Sequence, residues 1–417
     1  MKVSSLQLTN LRPISSAVFR FQPGFNLIVG VNGVGKSSVL DALSVCLSAY
    51  VKEANGLRVR KKSGFSPDDI RIGANVLSVE CVSQIGFKEY RYLIHIPRET
   101  SVPQQERDGL PREQVYDTFS QSAFWGDRPQ AATGNELEGR PLAVLFSTNR
   151  AVPSRRAPSK RSAAGGPGAA FGDALSSREL RLGEIAAWMR AQGSLMSEYP
   201  SAATVLVTLE NTVRRFLEGY TDLRVDIGGR ELLIDREDNT VKVWHMSDGE
   251  RGILALVLDL TRRLVQANPE MDDPTAEAEA VVLIDEIELH LHPSWQRSIV
   301  SNLESMFPRC QFIATTHSPQ VIGEVDHKHI HIMTNEGVYS PTHSFGVDSS
   351  RLLEEVMDAE SRTVDVRDLL LQVSSAIGKQ NYNEARDLVV SISDLLGEID
   401  PEVTRIQTLL DFLEDTE

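Results

Sequence analysis

The eight residues Gly30-Val31-Asn32-Gly33-Val34-Gly35-Lys36-Ser37 constrain this chain more than any other stretch. They follow a short strand pattern, Asn26 to Val29, and precede a helical one, Lys36 to Tyr50, in which Val39, Leu40, Leu43, Cys46 and Leu47 share one stripe. Glycines between a strand and a helix let successive backbone N–H groups wrap a phosphate, and the helix N-terminus adds partial positive charge. In this context G-x-x-x-x-G-K-S is a phosphate-binding P-loop pattern. Lys36 would reach the β- and γ-phosphates, and the Ser37 hydroxyl would ligate Mg²⁺. A bare glycine-rich turn would account for the glycines but not for Lys36 and Ser37 in register.

Three further segments read as partners of that loop. Val281-Val282-Leu283-Ile284-Asp285-Glu286 is a buried-strand run ending in two carboxylates. In an open α/β sheet they emerge at the strand's C-terminal edge, where ligands bind. Asp285 is placed for the Mg²⁺ shell and Glu286 for the attacking water. Ser247-Asp248-Gly249-Glu250 opens a predicted helix, 249–266, about 35 residues earlier. The plain reading is an N-cap, with Ser247 and Glu250 spaced as a capping box. The functional reading is a hydroxyl and an amide that grip a γ-phosphate. Phe312-Ile313-Ala314-Thr315-Thr316-His317-Ser318 is another buried strand ending in a polar group, and His317 there is either structural or a contact to the γ-phosphate or the water.

These motifs, in this order, resemble those of the ABC-type ATPases of the RecF, OLD and structural-maintenance-of-chromosomes group. Gly30–Ser37 matches their Walker A motif, Ser247–Glu250 their signature, Asp285-Glu286 their Walker B motif and Thr315–Ser318 their switch histidine. Leu289-His290-Leu291-His292-Pro293 resembles the D-loop of stand-alone prokaryotic members, and Phe146–Arg150 falls near the Q-loop position. The likeness covers roughly residues 1–345. Within the group, Ser247–Leu256, Leu283–Arg297 and Gln311–Ile322 are most similar to the ATPase subunits of Septu-type anti-phage defence, retron-associated ones included.

The resemblance implies an ABC-type P-loop α/β ATPase domain with an insertion and a C-terminal helical region. It implies ATP and Mg²⁺, contacted by Asn32, Gly33, Gly35, Lys36, Ser37 and Ser38 on one subunit and by Ser247, Gly249 and Glu250 of another. Ser37 and Asp285 would hold the metal, with Glu286 and His317 as catalytic groups. Hydrolysis would then need at least a homodimer, and related subunits work with a small HNH-type nuclease. Two departures matter. No sustained heptads provide coiled-coil arms, and nothing after residue 345 resembles the Toprim nuclease domain of OLD-type proteins. A RecF-like DNA-clamping repair ATPase is the alternative, and a transporter ATPase subunit a more distant one.

Organisation follows from composition. The 417 residues suggest two or three domains, or one large domain with insertions. Residues 1–150 read as the N-terminal half of the ATPase, with a loop-dominated insertion at 97–140. Residues 151–245 read as a linker, two helices near 177–191 and 201–218, and a β-meander over 223–245 with a Gly228-Gly229 turn. Residues 246–348 complete the ATPase, and 349–417 read as short helices. The formal net charge is −15. Residues 351–417 hold six basic and sixteen acidic residues, net −10, so most of the acidity sits in the tail. Such a tail is either a packing appendage or a dock for a basic partner such as the nuclease.

Arg150, Arg155, Arg156, Lys160 and Arg161 form a basic run. Nucleic-acid contact and a solvated loop both fit it. The alternating His290/His292 and His327/His329/His331 invite a zinc reading, but no cysteine or paired carboxylate stands beside them. Cys46, Cys81 and Cys310 are odd in number and far apart, which fits a reduced, cytoplasmic setting. No stretch reaches the ~20 apolar residues of a membrane helix, and no membrane partner is expected.

Overall fold

The computed structural model describes residues 1–55, 64–98, 121–129, 139–151, 167–228, 231–347, 364–397 and 400–414. It divides into two compact units, Met1–Leu352 and Leu353–Glu417.

The first unit begins with β1 (Lys2–Leu11), β2 (Ile14–Arg20) and β3 (Phe25–Val29), then α1 (Lys36–Asn55), β4 (Val76–Ile85), β5 (Lys88–Pro97), β6 (Gln121–Trp125) and β7 (Leu142–Phe146). After β7 come α2 (Pro167–Phe171), α3 (Leu182–Leu195), α4 (Pro200–Phe216), β8 (Tyr220–Val225), β9 (Leu232–Arg236) and β10 (Asn239–Lys242). It ends with α5 (Asp248–Ala267), α6 (Pro274–Glu277), β11 (Ala280–Ile284), α7 (Pro293–Met306), β12 (Gln311–Thr316), α8 (Pro319–Ile322), β13 (Ile330–Met333) and β14 (Val338–Tyr339).

Two kinds of strand separate by their patterning. In β3, β7, β11 and β12 every residue is buried, as expected of parallel strands covered on both faces. They build a six-stranded sheet of order β14-β13-β3-β12-β11-β7, parallel except for β14. The more mixed strands form an antiparallel five-stranded sheet, β2-β1-β4-β5-β6. Helix α1 packs against β7, β11 and β12 of the first sheet and β4 of the second, and its Tyr50 hydroxyl lies 2.7 Å from the Cys81 carbonyl. That two-sided burial leaves α1 without a solvent stripe: Leu40, Leu43, Cys46, Leu47 and Tyr50 are all buried.

Strand β6 lies within the stretch 97–140 that reads as a loop-dominated insertion. Residues 121–125 pair with Arg91–His95 of β5. Phe124 packs edge-on against Tyr50 and Tyr92, 5.0 and 4.9 Å between ring centroids. Residues 99–120 and 130–138 lie outside the described residues, as does the linker stretch 152–166 with Arg155, Arg156, Lys160 and Arg161. The expected meander is a three-stranded sheet, β10-β9-β8, although Gly229 of its turn is not described.

In the second unit, α9 (Val364–Gly378), α10 (Tyr382–Leu396) and α11 (Pro401–Glu414) bury Val373, Ala376, Ala385, Val389, Ile392, Val403, Ile406 and Leu410 in a core of their own. Asn381 caps α10 by accepting the Glu384 N–H, and Gly397, at φ +91°, ends it. No described helix is long and apolar enough to cross a membrane. The three cysteines are free and buried.

Candidate active site

The parallel sheet brings its chemistry to one edge because β3, β11 and β12 all end there in register. Ile284 pairs with Ala314 and Thr316 with Val29, so Asp285, Thr315 and the start of the glycine loop converge. The loop makes its turn with Gly33 at φ +84° and Gly35 at φ +109°. A Cβ on Gly35 would stand 2.9 Å from the Ile14 side chain, so that position demands glycine on two counts. Lys36 folds back over the loop and donates to the Gly30 carbonyl at 2.8 Å and the Val31 carbonyl at 3.1 Å. Burial pulls its ammonium pKa below the usual lysine value, against the opposing pull of Asp285, Glu286 and Glu288.

Ser37 and Asp285 meet. The Ser37 hydroxyl stands 3.1 and 3.3 Å from the two Asp285 carboxylate oxygens. Two hard oxygen donors at that spacing fit neighbouring ligand positions on Mg²⁺, which prefers octahedral oxygen coordination at about 2.1 Å and keeps several non-protein ligands. Among the described residues no group of three or more His, Cys, Asp or Glu could hold a metal. His331 instead packs edge-on to Phe21 at 5.2 Å, and a ring nitrogen of His329 lies 2.9 Å from the Phe25 carbonyl.

Thr315 fixes both Walker B acids: its hydroxyl donates to Asp285 at 2.7 Å and accepts the Glu286 N–H at 2.7 Å. Glu286 has a left-handed backbone, φ +48°, uncommon outside glycine and worth of order 1 kcal/mol of strain. Arg150 holds the other side of that turn. Its guanidinium donates to the Asp285 and Glu286 carbonyls, the latter at 2.5 Å, and to the Ser147 carbonyl at 3.2 Å. Arg150 is 5% exposed, and desolvation pulls its pKa down to about 10. It is therefore a buried clamp and not part of a solvated basic run. Sequence reasoning missed this role, for which the only signal was its place in the Q-loop-like segment.

Glu288 is a second omission. Its carboxylate accepts the Thr316 hydroxyl at 2.8 Å and the His317 N–H at 2.6 Å. His317 is half-buried, and burial, followed by the nearby Lys36 charge, lowers its imidazole pKa despite Glu288, Glu286 and Asp285. At neutral pH it is the uncharged ring.

The signature segment folds as its plain reading foresees. Ser247 caps α5 by accepting the Glu250 N–H, while Glu250 accepts the Ser247 N–H at 3.0 Å and hydroxyl at 2.8 Å. The other Glu250 oxygen accepts the Tyr220 hydroxyl of β8 at 3.0 Å. Both Glu250 oxygens are thus engaged, one within the segment and one with β8. Gly249 lies against the backbone carbonyl of His290, leaving no room for a side chain. Ser38 is buried, unlike Ser37, and accepts from Arg12 at 3.4 Å, while Asn32 and Gly33 are exposed at the loop's crest.

A glycine loop closing on α1, with a carboxylate pair across from its Ser37, defines an ATPase of the P-loop class. Residues 25–323 match the family described as "AAA domain, putative AbiEii toxin, Type IV TA system", and the chain belongs to that family. It is 34% identical over 218 residues to the Retron Ec83 probable ATPase of Escherichia coli, covering 51% of this chain but only 40% of that protein. To the Retron Vc95 probable ATPase of Vibrio cholerae serotype O1 biovar El Tor it is 26% identical over 411 residues, 82% of this chain and 76% of that one. To the Septu protein PtuA of Bacillus thuringiensis it is 21% identical over 332 residues, 77% and 72% of the two chains. Among solved structures, an Smc head bound to the C-winged helix domain of ScpA superposes with a TM-score of 0.50 at 16% identity, covering 82% of this chain and 98% of that one. That likeness concerns the fold.

Proposed function

We propose that this chain is the ATP-hydrolysing subunit of an anti-phage defence complex, and that its nucleotide state restrains or releases an HNH-type nuclease. The observation that carries the enzymatic half is the 3.1 Å approach of Ser37 to Asp285 at the mouth of the glycine loop. The retron and Septu relatives support the biological half.

In this reading Lys36 leaves the Gly30 and Val31 carbonyls for the β- and γ-phosphates, and the N-terminus of α1 faces the same charge. Ser37 and Asp285 would hold Mg²⁺, which would supply charge neutralisation at the phosphate oxygens. Glu286, its backbone pinned by Thr315 and Arg150, orients the attacking water and takes its proton. His317, neutral, hydrogen-bonds the γ-phosphate or the water. Ser247 and Gly249 reach the nucleotide of a second subunit in a two-fold dimer, which closes two sites at once. Glu250 keeps Ser247 in place. The acidic helical region 349–417 docks the nuclease.

Glu286→Gln should keep ATP binding and stop turnover, and unchanged steady-state hydrolysis would remove Glu286 from the mechanism. Co-purification tests the rest. A nuclease retained by the full chain but lost by one cut after Asp348 places the dock in the tail, whereas retention by the shortened chain refutes it. ATPase activity that rises with added DNA, with no nuclease captured, would favour a DNA-clamping repair role.

A further inference from the structure

The segment after β11 carries a third carboxylate, Glu288, that neither the metal site nor the water requires. Both of its oxygens are committed to the end of β12, one to the Thr316 hydroxyl at 2.8 Å and one to the His317 N–H at 2.6 Å. Charge-assisted bonds of this kind are about twice as strong as neutral ones. They belong to a closed circuit. The Thr316 hydroxyl oxygen accepts the Ser318 N–H at 3.0 Å, and the Ser318 hydroxyl donates to the Gln296 side chain of α7 at 2.6 Å. Gln296 donates to the Leu291 carbonyl at 2.8 Å, and the Leu291 N–H returns to the Glu288 carbonyl at 2.8 Å. Within that circuit lies His290, at φ +63°, whose carbonyl presses on Gly249.

We propose that Glu288 is a positioning residue of the hydrolytic step. It ties His317 to the loop 289–293, so that the imidazole follows that loop. The histidine sits between the end of β12 and the Ser318 cap of α8, and the Glu288 carboxylate anchors its backbone N–H there. Displacement of the loop, which lies directly on the signature glycine, is thereby passed to the group that faces the γ-phosphate. The proposal rests on the assignment of His317 given above.

Steady-state kinetics of the full chain test it, comparing Glu288→Ala, Glu288→Gln, His317→Ala, the Glu288→Ala/His317→Ala pair and Glu286→Gln. A mislaid catalytic group costs up to about 100-fold, so Glu288→Ala should lower kcat by about 10- to 100-fold with KM changed less than about threefold. Glu288→Gln, which keeps one acceptor oxygen, should recover part of the rate. In the His317→Ala background the loss of Glu288 should cost nothing more. Wild-type kcat in both Glu288 variants, a change confined to KM, or full additivity in the pair would overturn the proposal. If the alanine variant does not fold, the kcat and KM of Glu288→Gln decide in the same way. Turnover retained by Glu286→Gln would bring down the site assignment and this proposal with it. Turnover lost there but intact in the Glu288 variants would bring down the role of Glu288 alone.

Discussion

The Thr315 hydroxyl donates to the Asp285 carboxylate at 2.7 Å across two neighbouring parallel strands. The same oxygen accepts the Glu286 N–H, so one buried side chain of β12 holds the Asp285 carboxylate and the Glu286 backbone just past β11. Parallel register makes this possible: the ladder ends with Ile284 opposite Ala314, and Asp285 and Thr315 each follow by one residue.

Thr315→Val keeps the shape and removes the hydroxyl. It strands the Glu286 N–H, at a cost of about 1–3 kcal/mol for a lost partner in a buried site. The larger effect should fall on metal use, because Asp285 loses its fixed orientation. We expect the Mg²⁺ concentration for half-maximal ATPase activity to rise several-fold with little change in the apparent affinity for ATP at saturating Mg²⁺. An unshifted Mg²⁺ titration would show that Ser37 alone orients Asp285.

Asp259 stands in the buried half of α5 with three arginines around it. Arg178 donates at 2.9 Å, Arg262 at 2.6 Å and Arg263 at 2.8 Å. Desolvation would raise its pKa, but the three guanidinium groups hold it far below the usual carboxylate range. Asp259→Ala would leave three arginines without their shared anion, and breaking a buried ion pair from one side costs about 3–5 kcal/mol. Denaturant unfolding should show that loss with α5 as the first region to gain amide exchange. A change below about 0.5 kcal/mol would mean the arginines find other partners.

His331 gives the protein a pH limit of its own. Packed among Phe19, Phe21 and the second sheet, it has its pKa pushed down to about 4, chiefly by burial and then by His329. The unfolded chain takes a proton near pH 6.5 that the folded one refuses until about pH 4. The stability due to this histidine is therefore complete above pH 6.5 and lost progressively as pH falls towards 4. In His331→Leu that slope should flatten in a series of melts between pH 4 and 7. Parallel slopes in the two proteins would exclude the residue as its source.

The parts of the site legible in the sequence were those with local causes. A glycine loop between strand and helix, an apolar run ending in Asp285-Glu286, and the Ser247/Glu250 capping pair each declare themselves within ten residues. Strand β11 lies at 280–284 as its composition demands. The parts that stayed hidden depend on strand order. Nothing near Arg150 says that β7 will lie beside β11, yet that neighbourhood places its guanidinium on the Asp285 and Glu286 carbonyls. Likewise Glu288 meets Thr316 and His317, and Thr315 meets Asp285 and Glu286, because β11 and β12 lie side by side. Strand β6 escaped because five residues in a polar, glycine-rich insertion gain their strand character from β5 and from the Tyr50–Phe124 contact. Helix α3 was foreseen a few residues early, at 177–191 against Leu182–Leu195, and α4 at 201–218 against Pro200–Phe216, because amphipathic spacing fixes a face more firmly than an end.

The Arg150 clamp grips main-chain oxygens and touches neither acidic side chain. Its hydrogen bonds do not depend on the side chains at 285 and 286, although the charges of Asp285, Glu288 and Glu286 act on its guanidinium. A glutamine at 286 would meet the same carbonyl geometry and the same left-handed turn, so the substituted protein should be frozen with its architecture intact. For a chain of this kind that is a practical handle: the silent enzyme remains a faithful mould of the active one, suited to trapping whatever assembles around it.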